Sequence, residues 1–206
     1  GGDSARFRLL EPLRQFGLEK LDEAGEARLA RDAHLERLVA LAEAAETGMR
    51  SPDLQRWLDL LDDAADDVRM AVHHALETGR QDTGLRLASA AWRYWYTRGR
   101  PREGRDLLEL LLDRVTAETP EELRAKALHA FGTLAAYVGD YRQARSALES
   151  CLAIRRRLGD PSEVAATLNN LGIVDSEVGD LESPRDLYLE SMALKVAAGD
   201  RRGEAG

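Results

Sequence analysis

The chain has a single cysteine, Cys151, in 206 residues. That excludes an internal disulfide and a cysteine-rich zinc site, and it fits a reducing compartment. No run of residues approaches the roughly 18 apolar positions that a membrane span needs, and the first residues lack the basic-then-apolar pattern of a secretory signal. The expected location is cytoplasmic, with no membrane contact. Cations are the minority: 29 Lys and Arg stand against 37 Asp and Glu, a formal net charge of -8. Coating nucleic acid needs the opposite balance, because a basic surface must displace the counterions, so no direct nucleic acid contact is expected. Also lacking are a Gly-rich phosphate loop closed by Gly-Lys-Ser/Thr and a G-x-G-x-x-G after a strand, and no cofactor is assigned. The opening Gly1-Gly2-Asp3 carries no initiator methionine, and the last residues, Arg201 to Gly206, interrupt a running pattern. A piece of a larger protein is expected.

What is present is 44% apolar and 32% charged residues, enough for a sizeable core with broad solvated faces. The strongest signal is an internal repeat at an offset of 40 residues. Gly132 returns as Gly172, Gly139 and Asp140 as Gly179 and Asp180, Arg145 as Arg185, and Gly159 and Asp160 as Gly199 and Asp200. The same step backwards from Gly139, Arg145, Leu148 and Glu149 reaches Gly99, Arg105, Leu108 and Glu109, so a third, weaker copy begins near Asp82. Repeats of this length are supersecondary units that stack to bury a shared core. Each copy divides at its central glycine into two helical stretches, as Leu128, Phe131, Leu134, Ala135 and Val138 recur at spacings of three and four.

Boundary chemistry supports that division. Thr119, Pro120 and Glu122, and again Asp160, Pro161 and Glu163, place a capping side chain, a proline at the first helical position and a glutamate at the third. Gly99, Gly139, Gly159, Gly179 and Gly199 stand where helices end in a left-handed residue. Upstream, Pro12 to about Ala24, Glu26 to about Thr47, Pro52 to about Thr78 and Thr83 to Arg98 read as helices. Only Arg6–Leu10, where Phe7 and Leu9 alternate with arginines, reads as a short strand.

The units at 120–159 and 160–199 resemble the tetratricopeptide repeat (TPR), in a longer version. Gly132 and Gly172 hold its small position, Ala144 the small position of the second helix, and Leu128 and Leu168 the large position one turn earlier. The match departs at Pro184, equivalent to Ala144, and at Trp92, equivalent to Gly132. Ser183 is expected to cap a late-starting helix with Pro184 at its first position. The expected fold is therefore all-α: TPR-like antiparallel hairpins in a right-handed superhelix, with a short N-terminal strand as an option.

Two further stretches, Arg6 to Leu21 and the run Leu87 to Arg100, resemble actinobacterial AfsR-like and LuxR-type STAND ATPase regulators. In that family the TPR-like arm senses a ligand or partner and helps to assemble an oligomer, while other domains bind nucleotide and DNA. The resemblance implies residues 1–25 as the tail of a winged-helix-like domain with a linker helix, 26–81 as a helical linker region, and 82–206 as repeats. The repeats divide as 82–119, 120–159 and 160–199, the next starting at 200.

First helices of stacked hairpins line a concave wall. Carrying TPR positions onto this chain nominates Arg86, Ser89, Arg93 and Tyr96, then Lys126, His129, Thr133 and Tyr137, then Asn169, Asn170, Ile173 and Glu177. The sharpest candidates for a protein or peptide partner are Arg86, Arg93, Tyr96, Lys126, His129, Tyr137, Asn169 and Asn170. Arginine and lysine suit carboxylates, and the amides suit an extended backbone. An ordinary solvated face is the plainer alternative. In the run Trp92, Tyr94, Trp95, Tyr96, core packing is expected for 92, 95 and 96, which share a helical face, and Tyr94 is the surface candidate. Asp59, Asp62, Asp63, Asp66 and Asp67 read as a solvated helical face, since a calcium loop needs ligands on a tight turn. His73 and His74 diverge by about 100° on a helix. His129 has no second ligand at metal spacing, and Cys151 falls on a packed position, so no metal site and no catalytic group is assigned. The expected function is a non-catalytic interaction or sensor domain of a larger bacterial transcriptional regulator. A stand-alone adaptor is one alternative. The other is a small-molecule receptor with a cavity near Arg93, Tyr96, His129 and Tyr137.

Overall fold

The structure is a computed structural model that describes residues 16, 17, 19–21, 23–179, 183–197 and 199. Among these, residues 16, 17, 19–21 and 23 are helical, nine further helices follow from Ala27 on, and there is no strand. They are α1 (Ala27–Gly48), α2 (Leu54–Asp63), α3 (Ala65–Glu77), α4 (Gln81–Thr97) and α5 (Pro101–Leu112), then α6 (Glu121–Tyr137), α7 (Tyr141–Leu158), α8 (Pro161–Glu177) and α9 (Ser183–Ala197). The strand expected at Arg6–Leu10 lies outside the described residues.

Helices α4 and α5, α6 and α7, and α8 and α9 pack as successive pairs, with α5 against α6 and α7 against α8 joining one pair to the next. The turns follow from backbone chemistry. Gly79, Gly99, Gly139, Gly159, Gly179 and Gly199 all have φ between 69° and 87°, the left-handed region that closes a helix at little cost only for glycine. Asp160 then starts α8, its Oδ1 accepting from the backbone N–H groups of Ser162 and Glu163 at 2.9 and 3.2 Å, with Pro161 next. The 40-residue offset is kept in three dimensions. A Cβ on Gly132 would lie 2.7 Å from Leu148, and one on Gly172 would lie 2.7 Å from Tyr188, residues that are themselves 40 apart. These are the close approaches that hold the second and third pairs together. α9 starts one residue earlier than expected, with Ser183 inside the helix, so Pro184 is its second residue and still stands in the first turn, as its chemistry requires.

Three further expectations at the helix level are corrected. The stretch expected as one helix from Pro52 to Thr78 is broken at Ala64, which leaves helical geometry at φ -101°, ψ 3°. No glycine or proline marks the break; packing does, because it lets Leu58 and Leu61 of α2 and Val68, Ala71 and Val72 of α3 all enter the core. Thr119 does not cap α6. Its buried hydroxyl donates to Asp82 Oδ1 at 2.8 Å, tying the loop to the start of α4, and α6 begins after Pro120 with no side-chain cap. Tyr94, expected at the surface, is 3% exposed. The end of α2 reaches it there: the Tyr94 hydroxyl donates to Asp62 Oδ1 at 2.9 Å. Burial, with the Asp62 bond second, pushes its pKa up to about 12. Tyr96 is the exposed member of the run, and Trp95 is fully buried against Gly104 and Leu134.

The upstream helices continue the stack. α1 packs on α4 and on α3, and its apolar stripe Leu35, Leu38, Val39, Ala42 and Ala45 joins the same core as the repeats. Apolar residues at three- and four-residue spacing bury one face of α1, which leaves its acidic residues Glu43 and Glu46 beside the inner wall of the pairs. The aspartates of α2 and α3 are engaged at the surface. Asp59 and Asp62 pair with Arg98, Asp66 pairs with Arg69, and Asp67 lies 3.7 Å from His34.

Candidate functional site

Where α1, α4, α6 and the α7–α8 turn meet, the wall opens into a recess of about 570 Å³. Of the nominated residues, Arg93, Lys126 and His129 line it, together with Trp92. Arg155, Glu46, Arg50, Glu122 and Glu163 also line it and were not anticipated.

Its floor is a buried cation. Arg155 sits on the apolar side of α7, one turn after Cys151, and is almost wholly shielded from solvent. Its guanidinium forms an ion pair with Glu163. Nη1 donates to Thr167 Oγ1 at 2.7 Å, to the Glu163 carbonyl at 3.1 Å and to His129 Nδ1 at 3.0 Å. A buried charge held this way is stable only because its donors are met. Since Nδ1 of His129 accepts, the neutral ring carries its proton on Nε2. Burial, then the Arg155 and Arg93 charges, push the His129 pKa down to about 3. Beneath, the Cys151 thiol donates to the Ala125 carbonyl at 3.2 Å, and burial raises its pKa. Cys151 thus holds the packed position expected of it.

Above the floor, aromatic rings run along the wall. Trp92 is edge-on to His129 and to Tyr96, each with centroids 6.2 Å apart. Tyr96 meets Tyr137 at 4.9 Å in a T-shaped pair. Tyr96 and Tyr137 are 42% and 58% exposed, so this pair presents its apolar surface outward. Farther along, Asn170 Nδ2 donates to Thr133 Oγ1 at 2.8 Å, which joins the second and third pairs and occupies that amide. Asn169 is half-buried beside it, outside the recess. Ile173 is exposed, Ser89 is fully buried, and Glu177 accepts from Tyr141 at 3.2 Å. The nominated residues therefore divide between a recess at one end and a tyrosine and amide surface at the other.

The basic residues have different fates. Arg86 holds Glu43 of α1 with two bonds of 3.0 and 3.1 Å, and Lys126 holds Glu46 of α1 at 2.6 Å. Both are expected to meet carboxylates of a partner; the carboxylates they meet come from the chain's own upstream helix. Arg93 is left over. Its guanidinium lies 4.7 Å from the centroid of Trp92, and its Nε is buried with no hydrogen-bond partner. Burial, followed by the nearby Arg50 charge, lowers its pKa. Among the described residues, no group of three or more His, Cys, Asp or Glu is placed to hold a metal, and no helix is long and apolar enough to cross a membrane.

With this geometry in view, the chain can be compared with known proteins. It is 27% identical over 205 residues to "Putative HTH-type transcriptional regulator Rv0890c" of Mycobacterium tuberculosis, and equally so to a Mycobacterium bovis protein of the same description. The match covers 95% of this chain and 23% of each relative, so the chain spans about a quarter of the length of the curated relatives it matches. Among solved structures, BtubC (BKLC) from P. vanneervenii superposes with a TM-score of 0.61 at 17% identity, covering 88% of this chain and 77% of that one. The TPR-like repeats of a "putative kinesin light chain" from Podosopora anserina superpose at 0.59 and 18% identity, covering 80% and 77%. Residues 123–195 match the tetratricopeptide repeat family, and the fold of the chain is a TPR-like helical repeat.

Proposed function

We propose that this chain is the non-catalytic partner-binding arm of a larger transcriptional regulator, and that the wall formed by α4, α6 and α8 is where a protein or peptide docks. The observation that carries this reading is the exposed Tyr96–Tyr137 pair beside an open recess. Large aromatic rings left in solvent at the rim of a concave wall are the kind of anchor that supplies most of the energy at protein interfaces. The relatives named as regulators support the larger setting, as does the resemblance to AfsR-like and LuxR-type STAND ATPases. In that setting the nucleotide and DNA chemistry belongs to other domains, and the arm works in the cytoplasm, sensing its partner and supporting oligomerisation. The division into units at 82–119, 120–159 and 160–199 is part of the same proposal.

A peptide library selected on the wild-type chain and re-measured on Tyr96→Ala and Tyr137→Ala tests it. Selected peptides should bind each variant at least about tenfold more weakly, as loss of an aromatic anchor implies. Binders indifferent to both substitutions would place docking elsewhere and overturn the proposal. The recess also favours a second reading, in which a small effector sits between Arg93 and His129. Such a ligand raises the melting temperature by mass action.

A further inference from the structure

Three basic side chains face the inner wall near the first two pairs, and two of them are neutralised by α1. Arg86 has Glu43, and Lys126 has Glu46. Arg93 has no ion-pair partner among the described residues, and its Nε is shielded from water with nothing to donate to. A buried donor left unmade is costly, and natural structures rarely keep one without a reason. Arg50, in the turn after α1, lines the same recess and also forms no ion pair among the described residues. Two unpaired guanidinium groups that line one recess repel each other at a cost. Trp92 supports one of them from below, as indole rings do for cations.

We propose that this recess is a carboxylate-binding pocket, in which Arg93 and Arg50 take the oxygens of one carboxylate and Trp92 and His129 form the wall against which its carrier lies. The planar donor fork of arginine matches a carboxylate in two parallel bonds. The remaining charge around the recess argues against a dianion. The Lys126–Glu46 and Arg155–Glu163 pairs cancel internally, and Glu122 and Asp160 add two further acids to the rim. A dianion such as phosphate would meet these acids with twice the repulsion. The inference rests on the proposed binding wall and names the chemistry taken at one end of it.

The test uses the 206-residue chain and three probes at constant ionic strength: sodium acetate, an end-blocked alanine peptide with one central glutamate, and inorganic phosphate. Tryptophan emission reports occupancy, because the Arg93 guanidinium lies over the Trp92 ring. Acetate and the peptide should each give a saturable change. That change should weaken at least about tenfold in Arg93→Gln and in Arg50→Gln, the loss expected for charged hydrogen bonds, and persist in Arg142→Gln on α7. If Arg93→Gln melts early, the exposed Arg50→Gln and the charge-keeping Arg93→Lys carry the comparison; Lys should weaken binding by losing the fork. A peptide that binds more tightly than acetate identifies an acidic side chain as the source, and equal binding identifies a free small carboxylate. Tighter binding of phosphate, no saturation, or an equal loss in Arg142→Gln overturns the pocket. Peptides that depend on Tyr96 and Tyr137 but bind Arg93→Gln unchanged would leave the wall standing while the pocket falls.

Discussion

Replacing His129 with asparagine measures what the buried cation beneath the recess does to stability. In the folded chain the imidazole is kept neutral, its pKa pushed down to about 3 by burial and by Arg155 and Arg93. In the unfolded chain it returns to about 6.5. Between those values the unfolded chain binds a proton that the folded chain refuses. Stability is therefore intact above pH 6.5 and is lost as the pH falls from there toward 3. From pH 7 to pH 5 the full linkage amounts to about 2 kcal/mol, and water reaching the half-buried ring lowers the expectation to about 1–2 kcal/mol. For a chain of this size that is roughly 2–8 °C in Tm. Asparagine sets an amide oxygen near the position of Nδ1, where it can still accept from Arg155, and it does not titrate. Denaturant and thermal melts of both chains at pH 7, 6 and 5, followed by circular dichroism, give the difference. His34, His73 and His74 remain in both chains, so their contributions cancel. The wild type should lose about 1–2 kcal/mol more than the variant over this range. Equal losses would refute the account of His129 as a neutral ring pressed against two guanidinium groups.

Two local substitutions test the fold in the same way. Asp160→Ala removes the cap that accepts from Ser162 and Glu163 and should cost about 1 kcal/mol in urea unfolding; an unchanged midpoint would deny the cap any role. Gly104→Ala places a Cβ 2.5 Å from the buried Trp95 ring and 2.8 Å from Leu134. The helix propensity gained is about 1 kcal/mol, and overpacking should exceed it, for a net loss of about 1–2 kcal/mol in a thermal melt. A stabilised variant would show that Trp95 yields freely.

The hairpins were legible because turns impose local chemistry. Only glycine closes a helix cheaply at positive φ, so Gly99, Gly139, Gly159, Gly179 and Gly199 mark the ends wherever they fall. The break at Ala64 carries no such mark, since it answers to the packing of α2 and α3 on their neighbours. Tyr94 and Tyr96 were exchanged for a related reason. Periodicity shows which residues share a face, but not that Asp62 of α2, a helix with no trace of the repeat, meets the Tyr94 hydroxyl. Arg86 and Lys126 read as contacts for a partner's carboxylates, because residue type names the chemistry of a contact and not its source. The fold supplies them from α1, as Glu43 and Glu46. Arg155 did leave a signal: a cation one turn beyond Cys151 on an otherwise apolar stripe, which implies a buried partner somewhere in the fold.

The two acids of α1 belong to one rod of 22 residues, about 33 Å long at 1.5 Å per residue. They cannot be withdrawn one at a time. Glu43 grips the first repeat and Glu46 the second, so flexing the array at the joint between α4 and α6 strains one grip or the other. α1 is thus a splint laid along the inside of that joint. The arc that the hairpins would adopt when free to hinge is narrowed there, and the mouth of the recess keeps its width.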